Sequence, residues 1–211
     1  MGTRRTQEER SAATWRAGIK AARHLFGKRG YANVSMADVV ARANRSKGAI
    51  YHQFTDKQDL LRAVVDQIEG EIADEIRERV VGVEDPLDAL AAGCGIFLDR
   101  CLDPIALRIV ILDAPAVLGW TELRTIDARH GLGVMIDVLE RGMAQGVIRR
   151  QPADLLAQLF LSAAIEAAMM IAHAPDPTAE RERVALPLLA WLASLRLPPT
   201  ERAEKRPRRR H

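Results

Sequence analysis

The sequence predicts an all-α protein of about nine helices, in which a small N-terminal helix-turn-helix domain precedes a larger helical bundle. Three observations carry this. Apolar residues recur at helical spacing along most of the chain, prolines and glycines fall mostly between those runs, and aromatic residues make up only 4% of 211 residues, leaving Ala, Leu, Ile and Val to build the core. With 48% hydrophobic residues the chain is long enough for one or two domains.

The first helix is predicted to start near Thr6, with Glu9 three residues on completing a capping box, and to place Trp15, Ile19, Ala22 and Phe26 on one face before Gly30 ends it. Ser35 and Asp38 form a second box-like opening, and Met36, Val39, Val40 and Ala43 line one face of a short helix. Ala43, Asn44 and Arg45 form a turn in which Asn44 suits a left-handed conformation; Ser46 then caps another helix starting at Lys47. In that helix Ala49, Ile50 and Phe54 can face inward, while Lys47, Gly48, Tyr51 and His52 fall on or near the exposed side. Gly48 lets backbone approach a base edge or phosphate closely. Asp56, with Asp59 three residues on, opens a fourth helix and puts Lys57 in its first turn, where a cation opposes the helix dipole and invites an anionic partner such as phosphate.

The fourth helix runs towards Arg79 and changes from Leu60, Leu61, Val64 and Ile68 to the charged EIADEIRER, so it can belong to two domains. Asp85 with Pro86 and Asp103 with Pro104 start further helices, and Pro115 interrupts DAPAVLGW. A long helix is predicted from near Leu118 to Gln145, closed by Gly146, with a stripe of Leu132, Met135, Ile136 and Leu139. Pro152 and Asp154 open an apolar helix ending near His173, and after the APDPT turn a last helix carries Val184, Leu188, Leu189 and Leu192, with Pro187 permitting a kink or a late start. The expected domains are a reader over 1–58 with a basic N-terminal arm, an effector-binding and dimerisation domain over 59–197, and a basic tail over 198–211 expected to be disordered.

Charge is segregated along the chain. Residues 1–60 carry a net +7, residues 61–200 a net −8 and the last eleven a net +4, giving the overall +3. The basic end holds the helix-turn-helix, as displacement of counterions from a duplex requires. The start, MGTRRTQEER, lacks the apolar core of a signal peptide, and the apolar run Leu155–Ala172 contains Gln158, Ser162 and Glu166, so it reads as a buried helix rather than a membrane span; a cytoplasmic location with no membrane partner is expected. Cys94 and Cys101 are seven residues apart on one predicted helix, roughly 10 Å, too far for a disulfide. They read as small core residues, with a thiol sensor as the alternative; neither their spacing nor the histidines form a metal site, and no cofactor is implied.

From about Trp15 to Val65 the chain resembles the DNA-binding domain of the TetR/AcrR family of bacterial transcription regulators, through IKAARHLFGKRGY at Ile19–Tyr31, SMADVVARA from Ser35, SKGAIYHQF at Ser46–Phe54 and the following DKQDLL. The resemblance implies a homodimer formed through the last two long helices as a four-helix bundle, and a fourth helix linking reader to sensor. Tyr51 and His52 match positions that commonly hold phosphates, with Ser35, Ser46 and Lys57 clamping the backbone. By their own chemistry, Lys47 and Gly48 approach the major groove, where Lys47 can contact guanine, with Ala49 beside them; Arg45 can read a base or hold a phosphate. Thr3, Arg4 and Arg5 form either an arm reaching the duplex or a merely solubilising end. A two-fold dimer reads two half-sites, so double-stranded DNA bearing a pseudo-palindromic operator is the expected partner.

For the sensor, Cys94, Phe97, Leu98, Cys101, Ile109, Leu112, Trp120, Met135, Leu139 and Phe160 either line an apolar cavity for a lipophilic or aromatic effector or simply fill a core. Glu166, a carboxylate amid an apolar run, either pairs across a dimer or contacts a ligand. The favoured reading is a repressor released by a small molecule. A helical adaptor without DNA binding is the alternative, and a helical-bundle enzyme a remoter one, since no nucleophile elbow, phosphate loop or catalytic residue set is evident.

Overall fold

A computed structural model describes residues 6–198, so Thr3, Arg4, Arg5 and most of the basic tail lie outside the described residues. Helices α1 (Gln7–Arg29), α2 (Met36–Ala43), α3 (Lys47–Gln53), α4 (Lys57–Val80), α5 (Pro86–Arg100), α6 (Pro104–Ala106), α7 (Ala114–Leu118), α8 (Trp120–Arg129), α9 (Gly131–Ala144), α10 (Ala153–His173) and α11 (Pro177–Ser194) follow in order, with a π-helical segment, Leu107–Asp113, joining α6 to α7. With Pro104–Leu118 counted as one rod, the described residues hold ten helices, one more than expected, because the predicted helix over 118–145 is two. It breaks at His130, whose φ of −110° and ψ of −82° leave the helical region, between flanking runs that are themselves helical. The chain divides into two compact units, one of residues through Glu69 with Asp103–Ile126, the other of Gly70–Leu102 with Asp127 onward.

In the first unit α1 opens on the predicted capping box: Thr6 Oγ1 accepts from the Glu9 N–H at 3.1 Å, and Glu9 Oε2 accepts from the Thr6 N–H at 2.9 Å. Ile19, Ala22 and Phe26 are buried, whereas Trp15, expected on the same face, is exposed. α1 packs on α2 and α3. That approach needs Gly18, since a Cβ there would lie 2.7 Å from the Phe54 ring. Phe54, Ile50, Leu60, Leu61 and Val64 complete this core, at roughly 1.5–3 kcal/mol for each large side chain removed from water.

The rod Pro104–Leu118 also packs on α1. Ile105 lies where a Cβ on Gly27 would stand, 2.5 Å from its Cγ2, and Arg108 crowds Gly30, whose φ of +78° also favours glycine. The Tyr31 N–H donates to Asp113 Oδ2 at 2.8 Å, Gln58 Nε2 donates to the Val117 carbonyl, and Arg62 pairs with Glu122. The π turn precedes Pro115, whose ring cannot donate to the ladder and clashes with the carbonyl four residues back in a regular α-helix; the wider turn gives it room.

In the second unit α10 packs against α5, α9 and α11, with Leu98, Leu139 and Ile171 at its core and the Phe160 and Trp191 rings 5.3 Å apart. Arg181 donates to Asp99 and to the Gly95 carbonyl, tying α11 to α5. Arg196 grips both Asp85 oxygens at 2.8 and 2.9 Å, and the Leu197 N–H donates to the Val147 carbonyl. α10 is long and apolar enough to span a membrane by composition, at a mean hydropathy of 1.9. It is not the buried helix expected. Only 39% of its most apolar window is buried, and Leu155, Leu159, Ser162, Glu166 and Met170 form an exposed face.

Candidate nucleic-acid interface and effector site

The α2–turn–α3 unit is built by short-range hydrogen bonds. Ser35 Oγ accepts from the Asp38 N–H at 3.1 Å, while the Ser35 N–H and hydroxyl both donate to Asp38 Oδ2, at 2.8 and 2.7 Å. Those bonds, the hydroxyl's first, hold the Asp38 carboxyl below its ordinary range, with help from Arg29 at 3.4 Å. Asn44 adopts φ +50° and ψ +52°, the left-handed turn its side chain tolerates, and Arg45 Nη1 folds back on the Asn44 carbonyl at 2.9 Å. Ser46 then caps α3 by accepting from the Ala49 N–H at 3.2 Å, which leaves its hydroxyl proton for another acceptor.

Arg45, Ser46, Lys47, Gly48, Tyr51 and His52 are exposed and contiguous, with Ala49 half-buried behind them and Ile50 and Phe54 anchoring the opposite face. Tyr51 keeps 42% of its surface in solvent, and the Lys47 ammonium lies 5.6 Å from its ring centre. A Cβ on Gly48 would meet no atom within 4 Å. The fold therefore does not require glycine there, although glycine costs a helix roughly 1 kcal/mol relative to alanine. Gly48 thus leaves open space on the exposed side of α3.

Lys57 is placed differently from expectation. Its Nζ donates to the Tyr31 carbonyl at 3.0 Å and lies 4.0 Å from the centre of the Tyr31 ring, a cation–π contact. The anionic partner invoked from the helix dipole is thus partly replaced by a carbonyl and a π face. An ammonium has three donors, and Lys57 also lines an open hollow of about 530 Å³ with Ala32, Asn33, Val34, Ser35, Met36 and Asp38. Tyr31 packs on Phe26 at 5.4 Å; burial, then the Asp56 charge, raises its phenol pKa. Tyr31 joins Lys57 to Asp113, a role that sequence reading missed because its partners stand 26 and 82 residues away.

The residues expected around an effector are divided between the two units. Ile109, Leu112 and Trp120 belong to the unit with the reader; Ile109 is buried, but Leu112 is exposed and Trp120 keeps 58% of its surface in solvent. The other eight belong to the second unit, where Cys94, Leu98, Cys101, Leu139 and Phe160 are buried and Phe97 and Met135 are half-buried. Glu166 is exposed on α10. Burial pushes the Cys94 thiol up to about 11 against the pull of Arg181, so little thiolate exists at neutral pH.

Two family profiles match this chain: Bacterial regulatory proteins, tetR family, over residues 19–64, and Tetracyclin repressor-like, C-terminal domain, over residues 87–195. The crystal structure of a TetR-family transcriptional regulator from Pectobacterium atrosepticum is 34% identical in sequence and superposes with a TM-score of 0.80 over 92% of this chain and 100% of that one. The chain belongs to the TetR family. Among curated TetR relatives, the chain is 26% identical to the transposon Tn10 TetC protein of Escherichia coli over 76% of its own length and 81% of TetC. It is 40% identical to the probable HTH-type transcriptional regulator ArpR of Pseudomonas putida over 50% of this chain and 51% of ArpR. The chain is accordingly a DNA-binding transcriptional regulator of helix-turn-helix type, and its relatives are regulators rather than enzymes.

Proposed function

We propose that this TetR-family regulator is a cytoplasmic homodimeric repressor that a small lipophilic or aromatic molecule releases from a pseudo-palindromic operator. The observation that carries the DNA-contact assignment is the exposed face of α3, where a glycine that the fold does not need stands beside Lys47 and Tyr51. In this reading Lys47, Gly48 and Ala49 enter the major groove, with Lys47 donating to guanine O6 or N7. Tyr51, His52 and the Ser46 hydroxyl hold phosphates and fix register, Arg45 serves either role, and Thr3, Arg4 and Arg5 reach the flanking backbone. Ser35 and Lys57 border the hollow beside α2; Lys57 approaches a phosphate there with the donors that Tyr31 leaves free, and Ser35 joins it by turning its hydroxyl proton away from Asp38.

The second subunit packs on α10 and α11. Leu155, Leu159 and Met170 on α10, and Leu186 and Leu189 on α11, are exposed large apolar side chains of the kind that mark protein interfaces. Glu166 shares that face, so it meets a donor of the partner subunit rather than a ligand inside its own. The reader comprises residues 1–58 and the sensing and dimerisation domain 59–197. Effector binding favours a dimer spacing that misfits the operator, and affinity falls by the ligand's preference for that state.

Footprinting on DNA upstream of the protein's own gene tests this. The expected pattern is two symmetric protected half-sites separated by roughly 34–36 Å or a multiple of it. A single asymmetric footprint contradicts the dimeric reading, and the absence of any footprint favours an adaptor.

A further inference from the structure

A second cleft lies in the α5–α9–α11 unit, with a volume of about 660 Å³, lined by Gly82, Val83, Glu84, Asp85, Pro86, Arg141, Gln145 and Val147. Its floor is tightly made: a Cβ on Gly142, the residue after Arg141, would lie 2.6 Å from Ile148 and 3.2 Å from Pro86. Arg141 sits in the last turn of α9, and its Nε and Nη2 are shut away from solvent with no hydrogen-bond partner among the described residues. These two nitrogens form one edge of the guanidinium fork, the edge that pairs with both oxygens of a carboxylate.

The nearby acids do not supply that partner. Asp85 accepts from Arg196 with both oxygens and from the Leu87 N–H at 2.8 Å, so its charge is already committed. Glu84 is exposed and makes no ion pair with Arg141. A buried guanidinium edge without acceptors is costly, and the cost is relieved when the side chain turns its fork into the cleft towards an anion.

We infer that this cleft is a binding site for a small organic monocarboxylate, held by Arg141 through a fork-to-carboxylate pair, with its hydrocarbon body against Val83, Pro86 and Val147. Geometry and charge select the class: the Nε–Nη2 edge matches the two coplanar oxygens of a carboxylate, and the Glu84 carboxylate at the mouth repels a phosphate dianion more strongly than a monoanion. The Gln145 amide donates a further hydrogen bond. The loop Gly82–Asp85 directly follows α4, the helix that begins in the reader at Lys57, so occupancy here acts at the end of an element shared by both functions. The cleft shares no residue with those expected around a lipophilic effector, and its occupancy does not depend on DNA binding.

Titration calorimetry of the full-length protein with benzoate tests it, with inorganic phosphate as the charge control and Arg141→Met and Arg141→Lys as variants. The expected results are saturable benzoate binding, phosphate at least tenfold weaker, and a loss of about tenfold to a hundredfold in Arg141→Met, the range for a charged hydrogen-bonded pair. Arg141→Lys, which keeps the charge without the fork, loses most of the affinity as well. Because the substitution removes an unpartnered charge, Arg141→Met unfolds at the same temperature as the wild type or higher. No saturable benzoate binding, equal binding by Arg141→Met, phosphate binding as tightly as benzoate, or an Arg141→Met protein that fails to fold would each overturn the assignment.

Discussion

The Lys57 ammonium and the Tyr31 carbonyl oxygen are 3.0 Å apart, and the same ammonium sits 4.0 Å from the Tyr31 ring centre. Lys57 begins α4 and Tyr31 follows the end of α1, while the Tyr31 N–H is held by Asp113 at 2.8 Å. The peptide groups on either side of Tyr31 are therefore gripped by α4 and by the π segment. Replacing Asp113 with Ala strands a partly buried N–H, and the expected cost is about 1–3 kcal/mol of stability. Chemical denaturation reads this directly; a midpoint equal to that of the wild type means that the bond contributes nothing.

Gly48→Ala separates folding from DNA recognition. Nothing lies within 4 Å of the added methyl, so the variant is expected to gain up to about 1 kcal/mol of stability from helix propensity. On operator DNA the same methyl meets the base edge or backbone, and affinity is expected to fall at least about tenfold, as one poor contact of roughly 1.4 kcal/mol produces. Thermal unfolding and anisotropy titration on one preparation give both numbers. Undiminished operator affinity would remove Gly48 from the interface.

The dimer face has an equally direct test. Leu159 and Leu186 keep 62% and 71% of their surface in solvent in the single subunit. Leu159→Glu combined with Leu186→Glu is expected to give a folded monomer in sedimentation, with loss of tight operator binding because only one reading helix engages at a time. A double variant that sediments like the wild type would place the interface elsewhere.

Acid stability carries a sign that can be checked. The Arg196 hydrogen bonds, more than the Leu87 and Asp88 N–H groups, hold the Asp85 carboxyl below its ordinary value of 3.8. A depressed folded pKa means a stabilising contribution that is complete above the unfolded value and lost as pH falls through the folded one. Arg196→Met is therefore expected to lower the unfolding midpoint at neutral pH and to shrink its fall below pH 3.8. Parallel pH profiles for the two proteins would mean that the pair contributes nothing to stability.

Cys94, with its thiol pushed up to about 11, is expected to resist alkylation by iodoacetamide in the native protein at neutral pH and to react once the chain is unfolded. Rapid native labelling at Cys94 would revive the thiol-sensor reading.

The reader was legible because its signals are local. Thr6 with Glu9, Ser35 with Asp38, Asn44 and Ser46 act within three or four residues, and each takes the role its chemistry assigns. What the sequence could not display was long-range. The contact of Tyr31 with Asp113 spans 82 residues, and the packing of Pro104–Leu118 on α1 leaves no mark in either segment's periodicity. The break at His130 has no proline to announce it. Glu166 stands out by sequence as a carboxylate in an apolar run, but whether a lone carboxylate points into a pocket or out of the subunit depends on which face of α10 its neighbours cover.

The central claim is that α3 reads a specific DNA sequence, and fluorescence anisotropy tests it most directly. Labelled DNA from upstream of the protein's own gene and a scrambled duplex would be titrated at several salt concentrations with the wild type and Tyr51→Ala. The predicted result is tight binding to the first duplex only, weakening with salt in proportion to the phosphates contacted and lost in the variant. Equal weak binding to both duplexes by wild type and variant alike, or no binding at low salt, would contradict it.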